Sequence, residues 1–165
     1  VGNFAYVDVG GGSTEISLLH DGVLAESHSF NIGTLRMLGG AVSEQELMDM
    51  RQMLEEYARE FPATKIIGSG GNINRLFRLA RLKGPQRELP VERLQELYDT
   101  LQALTVVQRM EQFKLKEDRA DVIVPAAEIF LTVAEALGSE SIIVPNISLA
   151  DSIADGIWRE MQMKG

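Results

Sequence analysis

The chain has 165 residues, 45% of them hydrophobic, and carries 24 acidic against 16 basic side chains for a formal charge of −8. That length predicts one domain with a proper core, and the acidic balance argues against broad nucleic-acid binding. No apolar run approaches the ~20 residues that cross a bilayer as a helix, and the absence of cysteine excludes disulfides, thiolate-bound metals and a cysteine nucleophile while fitting a cytoplasmic location.

Residues 3–9 and 14–20 read as strands joined by Gly10-Gly11-Gly12-Ser13. Asp21-Gly22 is a strong hairpin signal, so Val23 to Asn31 continues as a third strand of a meander. His20 and His28 stand near its ends without a third nitrogen ligand and read as structural or solvent-facing. Gly33-Thr34 opens a short helix carrying Leu35, Met37 and Leu38, closed by Gly39-Gly40. Ser43-x-x-Glu46 has capping-box spacing. Leu47, Met50, Leu54, Tyr57 and Phe61 then recur as one helix face, with the methionines as core packing and Pro62 as the stop.

Lys65 to Gly68 is a short fourth strand. Ser69-Gly70-Gly71-Asn72 turns into a helix with the apolar face Ile73, Leu76, Phe77 and Ala80. Arg75, Arg78 and Arg81 recur on its other side, either as a solvated face or as a track for a long phosphate chain. Gly84-Pro85 breaks that helix, and Pro90 suits the first turn of the next, whose stripe is Leu94, Leu97, Tyr98 and Leu101. Val106 to Phe113 adds a further helical piece. Glu117 to Gly138 is mostly helix, with Pro125 marking a start or kink and Ile129, Phe130, Val133 and Leu137 on the buried side. Ser141 to Pro145 reads as a fifth strand, and Ser148 or Asn146 would cap a last helix carrying Ile153, Ile157, Trp158 and Met161. The expected order is β-β-β-α-β-α-(helical insert)-α-β-α, without internal repeat or linker. The chain begins at Val1 and enters a strand at once, so it reads as a piece of a longer protein without a signal peptide.

The chemistry concentrates between Asp8 and Glu15. Without side chains at Gly10, Gly11 and Gly12, backbone N–H groups can converge on an anion such as phosphate, and Ser13 and Thr14 add hydroxyl donors. Asp8 and Glu15 are hard oxygen ligands of the kind Mg²⁺ takes beside phosphates. The alternative is a plain hairpin turn in which the glycines supply only positive φ. The Gly68-Ser69-Gly70-Gly71 turn is likewise either an anion site at a helix start or a tight strand-to-helix turn.

Asp8-Val9-Gly10-Gly11-Gly12-Ser13-Thr14-Glu15 resembles the phosphate-binding signature of the exopolyphosphatase / guanosine pentaphosphate phosphohydrolase (Ppx/GppA) family, part of the actin-like ATPase superfamily. Gly68-Ser69-Gly70-Gly71 resembles the family too, as does the tail from Arg119-Ala120-Asp121-Val122-Ile123 through Leu149-Ala150-Asp151 to Asp155-Gly156. Their order fits the second of the family's two actin-like domains and covers nearly the whole chain. The resemblance implies an α/β, ribonuclease-H-like domain over 1–165, a mixed five-stranded sheet flanked by helices with a helical insert. It forms one wall of a cleft whose other wall is an upstream actin-like domain.

The activity so implied is Mg²⁺-dependent release of terminal phosphate from inorganic polyphosphate or guanosine pentaphosphate. Glu15 takes the catalytic role, through metal or attacking water. Gly10, Gly11, Gly12, Ser13, Gly70, Gly71 and Arg119 bind phosphate, and Asp8 and Glu15 hold the metal. Their plainer readings are an exposed strand-end acid for Glu15 and a surface ion pair with Glu117 or Asp121 for Arg119. Asp151 and Asp155 read equally as helix-start acids, and Ala154 stands where the family often has an arginine. The family's principal general-base glutamate lies in the upstream domain, so this chain alone is expected not to turn over. Neither nucleic acid nor membrane is expected as a partner, and the family leaves room for a homodimer. Two other readings compete. One is an ATP-dependent kinase or ATPase that holds adenosine at the Gly68–Gly71 turn. The other is a non-catalytic phosphate- or nucleotide-binding regulatory module, against which Asp8, Ser13 and Glu15 argue.

Overall fold

Three antiparallel strands build one half of the sheet in a computed structural model that describes residues 2–146. They are β1 (Asn3–Val9), β2 (Thr14–His20) and β3 (Val23–Phe30). The turn between the last two follows from its sequence: Asp21 and Gly22 both take left-handed φ, 48° and 79°, which is what a two-residue primed turn demands. After the short α1 (Thr34–Leu38) and the long α2 (Glu44–Glu60), β4 (Lys65–Ser69) enters parallel to β1. Then come α3 (Gly71–Leu79), β5 (Glu88–Pro90), α4 (Val91–Gln102), α5 (Val106–Phe113), α6 (Glu117–Leu137) and β6 (Ser141–Ile143).

The sheet has six strands in the order β3-β2-β1-β4-β6-β5. It is mixed, with β4 and β6 parallel and β5 antiparallel at the edge. The expected five strands lacked β5, whose three residues include a proline and show no alternation to read. Pairing of Leu89 with Ile142 and Pro90 with Ser141 also moves Pro90 out of the following helix. It is the extended N-cap residue, the helix begins at Val91, and the Val91 N–H donates to the Glu140 carbonyl at 2.8 Å.

The core lies between the sheet and a helical layer centred on α6. Ala5, Val7 and Val9 alternate inward on β1, and Ile16 and Leu18 do so on β2. α6 packs against α2, α4, α5, α1 and α3, and its buried residues exceed one stripe because it has neighbours on several sides. Alanines at 120, 126, 127 and 134, all fully buried, let those helices approach closely. Pro125 lies in the interior of α6 and does not start it. No helix among the described residues is long and apolar enough to cross a membrane.

One further expectation changes, and one is not tested. α3 ends at Leu79, and Arg81 takes a left-handed φ of 51°, so Arg81 does not share a helix face with Arg75 and Arg78. The last helix, with Ser148, Ile153, Ile157, Trp158 and Met161, lies outside the described residues, as do Leu149, Ala150, Asp151, Ala154, Asp155 and Gly156.

Candidate functional site

The antiparallel ladder of β1 and β2 sets Asp8 directly opposite Glu15, with Val9 opposite Thr14 on the next rung. Beyond that rung the chain turns through Gly10 to Ser13, and the Gly10 N–H donates to the Ser13 carbonyl at 2.9 Å. None of the three glycines in the turn has left-handed φ, so the plain positive-φ reading fails. At Gly11 packing favours glycine, since a Cβ there would come within 2.8 Å of the Leu35 side chain. A Cβ on Gly12 would meet nothing within 4 Å, so the ground above it is open.

The first turn of α1 fixes which way the loop faces. The Thr34 N–H donates to the Gly10 carbonyl at 3.0 Å, and the Leu35 and Arg36 N–H groups donate to the Gly11 carbonyl at 3.0 and 3.3 Å. The Arg36 Nε–H donates to the Gly12 carbonyl at 2.6 Å. All three carbonyls are thereby tied to the α1 side. The peptides are trans, and in a trans peptide the N–H points opposite to the C=O. The N–H groups of Gly11, Gly12 and Ser13 therefore face away from α1, and none has a hydrogen-bond partner among the described residues. Three free donors on one side of a loop suit an anion.

Two contacts brace this arrangement from beneath. The buried Thr14 hydroxyl donates to the Ile32 carbonyl at 2.6 Å. Gly33 is packed so closely that a Cβ there would come within 2.7 Å of the Gly12 carbonyl carbon and nearer still to Gly11.

The acids at the loop's rim differ in environment. Glu15 Oε1 accepts from the Ser13 hydroxyl at 2.8 Å and from the Ser29 hydroxyl at 2.9 Å, so its orientation is fixed. Asp8 presents surface to solvent, yet burial around its carboxyl, and then the negative charge of Glu15, raises its pKa. A pair of carboxylates held together without a cation among the described residues is the electrostatic condition that a bound cation relieves. No cluster of three or more metal-ligating side chains exists among the described residues. His20 and His28 pair instead with Asp21 at 3.4 Å and Glu26 at 3.1 Å, in keeping with their structural reading.

The second glycine turn closes on the first. Ser69 is the parallel neighbour of Asp8. Gly70 has φ 101°, and a Cβ there would lie 3.0 Å from Asp8 Oδ1, so only glycine suits that position on both counts. The Asn72 amide donates to the Val9 carbonyl at 3.1 Å, joining the start of α3 to the glycine loop.

From Gly71 outward the surface changes sign. Gly71, Asn74, Arg75, Phe77, Arg78, Arg87 and Arg119 line a cleft of about 470 Å³. Burial, and then the charges of Arg119 and Arg78, lowers the Arg75 pKa, with Asp118 partly offsetting them. The Arg75 Nη1 donates to Asn72 Oδ1 at 3.3 Å. Arg87 is held by the Val144 carbonyl at 2.7 Å and Asn74 Oδ1 at 2.9 Å, and lies 4.6 Å from the centre of the Phe77 ring. Arg119 makes no ion pair with Glu117 or Asp121 among the described residues.

The residues expected from sequence thus fall into two adjoining groups. Asp8, Gly10, Gly11, Gly12, Ser13, Glu15 and Gly70 meet at one loop, while Gly71 and Arg119 belong to the arginine cleft beside it. Sequence reasoning missed Ser29, Gly33 and Arg36, read Asn72 only as the end of the second glycine turn, and read Arg87 only as one of a run of basic residues with Arg75, Arg78, Arg81 and Lys83. For Ser29 a signal existed: the hairpin register sets it opposite Glu15. For Arg87 the signal was its place in the same short basic stretch as Arg75 and Arg78, while for Gly33 and Arg36 no local pattern in the chain points to the loop they serve.

The profile of the Ppx/GppA phosphatase family matches residues 1–158. A guanosine-5′-triphosphate,3′-diphosphate pyrophosphatase from Aeromonas hydrophila is 23% identical over 168 residues, covering 94% of this chain and 34% of that protein. The PPX-GPPA enzyme of Aquifex aeolicus superposes with a TM-score of 0.68 at 25% identity, covering 87% of this chain and 53% of that one. An exopolyphosphatase from Cytophaga hutchinsonii gives a TM-score of 0.64 at 22% identity over 87% of this chain and 53% of that one. The chain thus spans about a third of the first relative's length and about half of each of the two solved chains.

Proposed function

The chain belongs to the Ppx/GppA phosphatase family, and on that premise we propose that it is the phosphate-binding half of an Mg²⁺-dependent phosphohydrolase releasing terminal phosphate from inorganic polyphosphate or guanosine pentaphosphate. The observation that carries the reading is the glycine loop, whose carbonyls are all tied back to α1 while the Gly11, Gly12 and Ser13 N–H groups stand free. Hydrolysis of a phosphoanhydride asks the protein chiefly to neutralise the transferring phosphoryl group and to position water. In this assignment the three N–H groups bind the terminal phosphate. Glu15, fixed by two hydroxyls, orients the attacking water. Gly70 and Gly71 let the phosphate chain pass close to the backbone toward Arg119.

The donor set fits Mg²⁺, which is commonly held by one or two carboxylates together with substrate phosphates and water. Asp8 and Glu15 are the residues that would hold it, and bound there it would supply charge neutralisation at the phosphate. The upstream actin-like domain would supply the opposing wall and the general base.

Phosphate release by the full-length protein from long-chain polyphosphate, guanosine pentaphosphate and ATP, with and without Mg²⁺, tests this beside Glu15→Gln. Mg²⁺-dependent release from either of the first two substrates, reduced about a hundred- to ten-thousandfold in the variant, is the expected result. Turnover of ATP alone would replace it with a kinase or ATPase. The isolated 165-residue chain is expected to release nothing, and turnover by it would overturn the two-walled cleft.

A further inference from the structure

The Gly12–Ser13 peptide is the member of the loop whose orientation depends on a side chain. The Gly10 and Gly11 carbonyls are held by backbone N–H groups of α1, which any residue other than proline would provide. The Gly12 carbonyl is held by the Arg36 guanidinium, through Nε at 2.6 Å. Among the described residues nothing else steadies that peptide from the Gly12 side, since Gly12 has no side chain and a Cβ there would touch nothing within 4 Å. Glycine backbone moves freely between conformations, so the peptide is open to flipping. Once flipped, it would turn a carbonyl oxygen toward an anion in place of an N–H.

Arg36 is also not accounted for by other work in the fold. Its side chain is exposed, so it does not pack in the core. It makes no ion pair among the described residues, although the chain carries 24 acids. A guanidinium on a carbonyl oxygen has a second effect. Hydrogen bonds on the two ends of one peptide reinforce each other, so the charge on the Gly12 side strengthens the Ser13 N–H as a donor on the other.

We propose that Arg36 is a positioning residue for the phosphate loop: it holds the Gly12 carbonyl on the α1 side and so keeps the Ser13 N–H aimed at the phosphate. This rests on the reading of the loop as a phosphate site. Arg36 does not itself touch the phosphate, because it sits on the carbonyl face.

The test is titration of the full-length protein with inorganic phosphate while the backbone amide resonances of Gly11, Gly12 and Ser13 are followed, in the wild type and in Arg36→Ala. All three amides should shift in the wild type. In the variant, Gly11 and Gly12 should still shift, the Ser13 response should be lost, and phosphate affinity should fall about tenfold, the scale of one charge-assisted hydrogen bond. The thermal midpoint should stay put, since the side chain is exposed and unpaired with acid. A Ser13 shift that survives in the variant with affinity intact would overturn the inference and leave the loop reading standing. So would equal loss of all three responses with a lowered midpoint, because that is a structural role. No response to phosphate in the wild type would overturn the loop reading and the inference with it.

Discussion

Asp8 and Glu15 face each other on one rung of an antiparallel pair, where like charges destabilise the sheet. The Asp8 pKa is accordingly raised from its ordinary value of 3.8 by burial and by Glu15. A carboxyl that binds its proton more tightly when folded loses stability as pH rises from the unfolded value through the raised folded one, and the loss is complete above it. Asp8→Asn removes that loss. The variant should melt higher than the wild type at neutral pH, the gap should close toward pH 3, and turnover should fall about a hundredfold or more. Calorimetry across pH beside a phosphate-release assay would check all three, and a variant less stable at neutral pH would refute the charge argument. Gly12→Ala separates binding from folding at the same loop. Its φ is not left-handed and a Cβ there meets no atom within 4 Å, so the melting temperature should hold. In the proposed reading the methyl would stand where the phosphate binds, so phosphate affinity should fall tenfold or more, measured by titration calorimetry. At this scale the acids and glycines were legible because they are contiguous. Arg36 and Gly33 reach the loop from more than twenty residues downstream and Asn72 from about sixty, and only the folded chain brings them there.

Elements with a strong local code came through with their bounds nearly intact. The primed turn at Asp21-Gly22 and the alternation on either side set the meander. The capping box of α2 is complete, with the Ser43 hydroxyl accepting from the Glu46 N–H at 3.1 Å and the Glu46 carboxylate accepting from the Ser43 N–H at 2.8 Å. Ser43→Ala should therefore cost about 1 kcal/mol, seen as a lower denaturant midpoint with kcat unchanged, because α2 begins away from the loop. Elements that depend on partners were not legible. β5 is a strand only because β6 pairs with it, and that pairing takes Pro90 out of α4. Pro125 sits inside α6, where it removes a helix hydrogen bond. Packing overrides the propensity there: Pro125 is buried, and the Arg109 guanidinium bridges the Leu101 and Ala120 carbonyls at 2.7 and 3.1 Å, tying α5 to α4 and α6. The periodic run of arginines failed for a similar reason, since α3 stops before Arg81.

Across the whole molecule, charge is partitioned in a way that the net value conceals. A chain of formal charge −8 repels polyanions at long range, yet the described lining of the cleft beside Gly71 carries four arginines and no acid. At physiological salt, exposed charges act over about 8 Å, so a phosphate chain entering at the loop would meet the local cations and little of the distant acidic surface. The cleft begins where the glycine turns end, so in the proposed reading it receives the part of the substrate beyond the scissile phosphate. Arg78 is the member suited to a test, being exposed on α3 where charge reversal leaves the core untouched. Arg78→Glu should raise KM for long-chain polyphosphate about tenfold at low salt, leave tripolyphosphate nearly unchanged, and lose most of its effect at 0.5 M salt. The kcat should hold, because the cation lies away from the reacting phosphoryl group. Equal effects on long and short chains would mean that the arginines hold only the few phosphates nearest the loop. That outcome would favour guanosine pentaphosphate over polyphosphate as the substrate that the cleft is shaped to receive.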